Sequence, residues 1–388
     1  MNTATPQSLG PARKRAPPWL RFVPFVFVFL AGIVLQRARE PGEPSAPPPA
    51  AGSAPPGPDA QAPPATALAQ PTAPAPDARE SAPSAHRSAR LVNTPIQPIH
   101  EVPLDAQKVA LGERLFHDEH LSKDGTISCA SCHDIAHGGD DGRVVSLGIG
   151  GARGSINAPT VLNSAFSFRQ FWDGRAKTLE DQIDGPIQHP AEMGMQWPAV
   201  LATLAADARY AEQFRALYGA APTREAVEDA IATFERSLVT PDSPFDRYLE
   251  GDESALPAEA REGYELFVSL GCISCHQGVN AGGNMFQPMG KMNDYFAERG
   301  APPQATDLGR FNVTGRDLDR YSFKVPTLRN VELTAPYFHD GSAATLEQAV
   351  QVMAYVQLGE ELAPGEVARI VAFLRSLTGR LPASDQPR

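Results

Sequence analysis

The sequence predicts an all-α fold with long loops, preceded by a signal or membrane anchor and a disordered Pro/Ala-rich linker. Three observations predict it. Apolar residues recur at helical spacing in short runs from Ala106 onward. No stretch sustains the alternation of a strand. The segments between the runs are long and rich in Gly, Pro and Asn. The chain has 388 residues, and beyond residue 90 about 300 remain, enough for one large domain or two ordinary ones.

Residues 1–40 read as the signal or anchor. Arg13, Lys14 and Arg15 form a basic cluster, and Phe22 to Gln36 carries no charge. A membrane span needs about twenty apolar residues. Arg21 and Arg37 extend the run by snorkelling their charges to the interface. No small-residue cleavage site follows closely, which favours an uncleaved anchor over a cleaved signal peptide. The basic flank stays in the cytoplasm, so the rest of the chain is expected in the periplasm, tethered to the inner membrane or soluble after cleavage. Residues 41–90 hold fourteen prolines and fifteen alanines with almost no large apolar residue, the composition of a tether that cannot build a core.

Folded sequence begins near Leu91. Ala106 to Phe116 carries an apolar stripe at Val109, Leu111 and Leu115. Further helices are expected at 178–184, 198–217, 223–238, 257–269, 344–358 and 364–377. Pro198, Pro222 and Pro257 fall near starts, where the first turn tolerates a missing N–H. The loops at 138–160 and 278–336 are long enough to need an organiser, and a large prosthetic group provides one. The folded part divides into 91–255 and 256–388. Only a weak resemblance links these halves beyond a shared order of helix, cysteine motif and long loop.

The formal net charge is −11. Residues 1–90 hold nine Lys/Arg and five Asp/Glu, net +4, so the remainder carries −15. An acidic body speaks against nucleic acid, because phosphate binding draws on Lys and Arg. It permits docking of a basic or mixed-charge protein.

The four cysteines form two C-x-x-C-H motifs, Cys129, Cys132 and His133, then Cys272, Cys275 and His276. None is left for a long-range disulfide. Two cysteines three apart can form thioethers with the two vinyl groups of one haem, and the next residue then sets an imidazole under the iron. A redox dithiol has no need of the trailing histidine, and zinc would need further ligands around each pair. The motifs therefore point to two covalently bound c-type haems. An iron with two protein ligands carries electrons, and an iron with an open face can bind peroxide or oxygen, so function turns on the sixth ligands.

Several further segments are specific. They are Leu121 to Ile127, Ile156 to Asn163, Gln170 to Ala176, Gly185 to Gln188, Glu192-Met193, Pro326 to Asn330, and Leu333 to Gly341. With the two motifs they resemble the bacterial dihaem cytochrome c peroxidase family, which includes the MauG-like enzymes, over roughly 105–380. The resemblance implies two cytochrome c-like haem domains facing each other, with a calcium ion at their interface. It makes the first haem peroxidatic, with His133 as proximal ligand. The second becomes the electron entry site, ligated by His276 and Met353. Spacing alone does not separate Met353 from Met285, Met289 and Met292. MauG-like relatives carry tyrosine at that position, so Met353 favours peroxidase over protein-modifying oxidase. Glu192 matches the distal acid that moves a proton during peroxide cleavage, and Gln182 matches a second pocket group. Trp172 matches a tryptophan between the haems, read as an electron path or as packing. For calcium, Asn157 would offer its side-chain oxygen and Thr334 and Pro336 their carbonyls, with waters and no clustered carboxylates.

One departure stands out. Regulated members carry a histidine in a Gly-His-Gly loop that caps the peroxidatic iron. The aligned stretch here is Ser146 to Gly151, with Ile149 in the histidine's place. Isoleucine cannot ligate iron. His189 is the rival cap, and His137 lies too near the proximal side. The expected function is thus reduction of hydrogen peroxide without reductive activation. The electron donor would be a small c-type cytochrome or a cupredoxin, and a homodimer is compatible. The alternatives are a MauG-like oxidase acting on a partner protein and an electron-transfer dihaem cytochrome.

Overall fold

The computed structural model describes residues 94–382, and the expected anchor and linker lie outside them. Among the described residues no helix is long and apolar enough to cross a membrane. The fold is mainly α. Helix α1 (Ala106–Phe116) starts at Asp105, whose carboxylate accepts the N–H groups of Gln107 and Lys108. Then come α2 (Leu179–Gln188), α3 (Trp197–Ala206), α4 (Ala208–Tyr218), α5 (Arg224–Ser237) and α6 (Pro244–Leu249). The second part holds α7 (Ala258–Ser269), α8 (Tyr295–Arg299), α9 (Phe311–Thr314), α10 (Leu346–Met353) and α11 (Pro364–Arg375). A short antiparallel pair, β1 (Phe286–Pro288) and β2 (Ser322–Lys324), sets Gln287 opposite Phe323.

The helix expected over 198–217 is two. Asp207 leaves helical geometry and its carboxylate caps Arg209 N–H, so the chain restarts there. The helix expected to run to 358 ends at Met353 and continues as a wide π-type turn, Ala354–Leu358. Helices α6, α8 and α9 and the strand pair are too short to show a periodicity in sequence.

Two apolar cores form. One gathers α1 to α5, with Leu111, Phe116, Val227, Ile231 and Phe234 at its centre. The other gathers α7, α10 and α11 and also takes in Ile96, Phe245 and Leu249. The two are built alike. Gly112 of α1 lies against α5 so closely that a Cβ would stand 2.0 Å from Ala230 O, and a Cβ on Gly263 of α7 would stand 1.8 Å from Arg369 O of α11. Glycine at each crossing lets the backbones touch. Four residues on, Phe116 packs edge-on against Phe234 at 5.2 Å, and Phe267 meets Phe373 at 5.1 Å.

With the structure as a guide, the duplication becomes visible in the sequence. Pro159-Thr160 to Asn163 repeats as Pro326-Thr327 to Asn330. In the same register, Phe171-Trp172-Asp173-Gly174 with Thr178-Leu179-Glu180 repeats as Phe338-His339-Asp340-Gly341 with Thr345-Leu346-Glu347. The backbone repeats too. Asn163 and Asn330 adopt φ 58° and 60°, and Phe171 and Phe338 adopt 66° and 72°, left-handed values uncommon away from glycine. Thr178 and Thr345 both cap the helix that follows. Glu180 pairs with Arg236, and Glu347 pairs with Arg375, within matching Phe-x-Arg-Ser-Leu runs.

Buried polar groups tie these repeated segments together. Asn163 donates from Nδ2 to Thr240 Oγ1 at 2.7 Å, and Asn330 donates to the same oxygen at 3.0 Å. Fully buried Arg329 reaches Asp246 Oδ1 at 2.7 Å, Gln97 O at 2.6 Å and Val279 O at 3.0 Å.

Candidate functional site

Each C-x-x-C-H motif closes a short 3₁₀ turn after its crossing helix. The amide of His133 donates to Cys129 O at 3.0 Å, and that of His276 to Cys272 O at 3.1 Å. The imidazoles are set by their Nδ1–H groups. His133 donates to Gly139 O at 3.0 Å and His276 to Ala281 O at 3.3 Å, which leaves Nε2 of each ring as the free lone pair. Burial lowers both pKa values, His276 to about 4, so the rings are neutral donors. All four cysteines are unpaired. Burial, with Glu235 and Cys132 nearby, pushes the Cys129 thiol up to about 12, and burial pushes Cys272 to about 11. Such thiols are poor redox dithiols and poor zinc ligands, since both chemistries need thiolate. Lys324 adds a matching feature. Its ammonium, lowered to about 8 by burial, has among the described residues no carboxylate partner and only Ser167 Oγ at 3.5 Å. A group bearing carboxylates would suit it. The residues present fit covalent haem at both motifs.

Around the first motif, the 146–151 loop is fixed through its backbone. Ile149 N–H donates to Glu192 O at 2.9 Å, and its side chain packs on Gly194. Glu192 is raised by burial, against the opposing pull of His189 and Arg175. Its carboxylate lies 3.4 Å from His189 Nδ1, and its charge is felt at Cys132. Gln182 of α2 is half-buried, with its amide engaged by nothing among the described residues. Arg175 stacks over Phe171 at 3.4 Å and pairs with Asp173. His137 is exposed and bound to Asp134 at 2.8 Å.

The duplication assigns Pro186 a place that sequence reading missed. Counted along the repeat from Phe171 and from Phe338, Pro186 is the counterpart of Met353. Proline has no side-chain donor atom. The thioether of Met353 closes α10 and packs with Tyr295, Phe296 and Val356. Of its rivals, Met292 is 62% exposed and Met285 accepts a contact from Gln287 Nε2 at 3.5 Å. Met289 packs in the same cluster as Met353.

Trp172 and His339 are also counterparts, and they meet where the repeats face each other, rings 6.3 Å apart. Trp172 donates from Nε1 to Asn157 O at 2.9 Å, while its own carbonyl accepts from Lys324 N–H at 2.8 Å. His339 donates from Nε2 to Asp307 Oδ1 at 2.6 Å. Burial would raise Asp307, but Arg299, Gln304 N–H and His339 outweigh it and hold the carboxyl at about 2. Asp307, His339 and Asp340 bring their polar atoms within 4.8 Å of one another, yet Arg299 already supplies the positive charge at 2.7 Å from each aspartate.

The expected calcium ligands stand on segments that flank one loop: Asn157 reaches Arg143, and a Cβ on Gly142 would stand 3.9 Å from Ala335 O. Buried Asn157 donates from Nδ2 to Arg143 O at 2.7 Å, which leaves its Oδ1 unused. Among the described residues the carbonyls of Thr334 and Pro336 accept no hydrogen bond. Sequence reading set no carboxylate here. The structure places Asp140 and Asp141 on the adjoining loop, with three buried oxygens lacking any partner. The Gly-Gly-Asp-Asp-Gly run was the available signal.

Comparison with known proteins agrees with this geometry. Residues 106–254 match the family model described as di-haem cytochrome c peroxidase. The chain is 51% identical over 290 residues to a cytochrome c peroxidase of Escherichia coli (strain K12), covering 74% of this chain and 62% of that one, less than two thirds. It is 49% identical over 292 residues to a cytochrome c551 peroxidase of Nitrosomonas europaea, covering 75% and 86%. A crystal structure of a MauG-like protein associated with microbial copper homeostasis superposes with a TM-score of 0.63 at 32% identity, covering 73% and 93%. With that extent of similarity, and with both haem motifs in place, this chain belongs to the di-haem cytochrome c peroxidase family.

Proposed function

We propose that this protein reduces hydrogen peroxide to water at the Cys129/Cys132/His133 haem, with electrons entering one at a time through the Cys272/Cys275/His276 haem from a small c-type cytochrome or cupredoxin. The bound haem irons supply electrons and the coordination position at which the O–O bond is cut. The observation that carries the reading is the pairing of Pro186 with Met353. One repeat presents a thioether where its counterpart presents no ligand at all.

Glu192 performs the proton work. It takes the proton from one peroxide oxygen and returns it to the other, which departs as water. Desolvation raises its pKa, against the pull of His189 and Arg175. Gln182 offers a free amide to orient the substrate, and Arg175 sets a positive charge near the carboxylate. Met353 and His276 would hold the second haem iron, and a thioether there would suit an electron acceptor by raising its potential. Trp172 and His339 bridge the repeats by ring contact.

Calcium would be held by Asn157 Oδ1 and the carbonyls of Thr334 and Pro336, a reading supported by their lack of other partners among the described residues. The protein works in the periplasm. Because Ile149 replaces a ligating histidine and His189 pairs with Glu192, neither side chain would cap the haem held by His133. Oxidised protein mixed with H2O2 and a reduced c-type cytochrome should therefore turn over with no prior reduction. A first haem that is wholly low-spin and bis-histidine would sink the open-site reading. Peroxide left untouched by both oxidised and reduced protein would sink the peroxidase reading.

A further inference from the structure

Counterpart residues of the two repeats reach across to each other's backbone. Asn157 N–H donates to His339 O at 2.8 Å, and Lys324 N–H donates to Trp172 O at 2.8 Å. In the register of the repeat, Asn157 corresponds to Lys324 as Trp172 corresponds to His339. The first repeat thus sets a neutral amide here, and the second sets a cation. Lys324 stands opposite Phe286 in the strand pair, with its side chain half-buried. Among the described residues its ammonium has one hydrogen bond, to Ser167 Oγ at 3.5 Å, and no ion pair. Burial is the one influence that shifts its pKa, so no carboxylate of the described protein acts on it.

The groups around this ammonium belong largely to the second haem motif. Ser167 Oγ also accepts from Asn280 Nδ2 at 3.4 Å, and Phe168 N–H donates to Gly283 O at 2.8 Å. Gly283 N–H donates in turn to Val325 O at 2.8 Å, and a Cβ on Gly282 would stand 2.1 Å from Pro326 O. The Pro326 carbonyl acts on the His276 imidazole, opposing the effect of burial there. The stretch that carries Lys324 therefore runs along the loop after His276 and reaches that ring. An ammonium held away from water without an anion is disfavoured, whereas a paired and hydrogen-bonded one is tolerated. A haem brings two propionate carboxylates, the anions that the protein leaves out here.

We propose that Lys324 anchors a propionate of the Cys272/Cys275/His276 haem, its ammonium pairing with that carboxylate beside Ser167. The proposal rests on haem attachment at the second motif and adds a non-covalent contact to it. Asn157 offers the first repeat no such cation, so the pair acts on one haem and not on its counterpart. Its effect is electrostatic. A propionate whose charge is cancelled no longer favours the oxidised iron.

The test uses the full dihaem protein, with the potential of each haem followed by spectroelectrochemistry from about pH 6 to about pH 9. Wild type is compared with Lys324→Gln, Lys324→Met and the exposed control Lys291→Gln. The second potential of wild type should stay flat, because both partners remain charged throughout. Without the ammonium, the desolvated propionate holds a proton at low pH and loses it at high pH. The second potential of both variants should then fall as pH rises. At about pH 9 the balance should move about tenfold or more toward the oxidised iron, about 59 mV below wild type. Lys291→Gln should stay within about twofold, because an exposed charge is screened. Redox-difference infrared spectra of both variants at about pH 6 should show a protonated carboxyl that wild type lacks. An unpaired ammonium gives the reverse pattern, a wild-type potential that falls near pH 8 and variants that stay flat, and that result overturns the proposal. A pH-dependent fall at the first haem alone overturns the assignment to the second. Wild type that carries no haem at the second motif overturns haem attachment there and the proposal with it.

Discussion

The two haem-bearing repeats share one backbone plan and differ at a few positions. Where the second has Met353, the first has Pro186. Where the second has Ser342 and Ala349, the first has Arg175 and Gln182. Leu374, buried in the second core, corresponds to Glu235, buried in the first. The second repeat is apolar around a thioether, as an electron relay requires. The first is polar, charged and without a ligating side chain at the matching place. The same scaffold supports both, and the chemistry lies in the exchanged side chains.

The largest expected effect follows from Glu192. Glu192→Gln keeps the shape and removes the proton carrier, so peroxide turnover should fall about 10²- to 10⁴-fold. Steady-state peroxide consumption measures this, and the spectrum of the second haem should not change. A loss below about threefold would show that Glu192 is not the proton carrier.

An intermediate effect is expected from making the first repeat copy the second. Pro186→Met should place a thioether at the first haem, seen as a second methionine-ligated low-spin species in the oxidised spectrum. If that closed form is populated above nine-tenths, turnover should fall about tenfold. An unchanged spectrum would break the equivalence of Pro186 and Met353.

The smallest effect concerns Glu235. Burial lifts its pKa from 4.5 to about 8, and its carboxyl makes no hydrogen bond among the described residues. Between those values the folded protein keeps a proton that the unfolded chain has lost. Stability should therefore decline as pH rises from about 4.5 to about 8. Glu235→Gln should raise stability at pH 8 by roughly 1–3 kcal/mol and change it little at pH 5, by chemical denaturation. Equal gains at both pH values would show that the charge is not responsible.

Much of this was legible in the sequence. The haem motifs announced themselves by spacing, and the long helices by periodicity. Ile149 was visible as a departure because isoleucine has no donor atom. The duplication was harder to see, because the ten identities between Pro159–Glu180 and Pro326–Glu347 are scattered among unlike residues. Their meaning depends on φ values and caps that sequence does not display. Pro186 read as an ordinary residue until Met353 fixed the register. Asp140 and Asp141 read as loop acids, since their burial arises from segments nearly two hundred positions away. His339 looked like part of a motif string, and only packing against Trp172 gave it a place.

Arg329 has a consequence for how the chain can be cut. Its guanidinium holds Gln97, Asp246 and Val279, stretches drawn from the start, middle and later part of the described chain. Beside it, Ile96 pairs with Gly278, immediately after the second haem motif. The second haem-bearing half is therefore completed by residues that precede the first one. A fragment starting at Ala258 would expose Asp246's lost counterpart as a bare buried cation and should not be separable as an autonomous electron-transfer module.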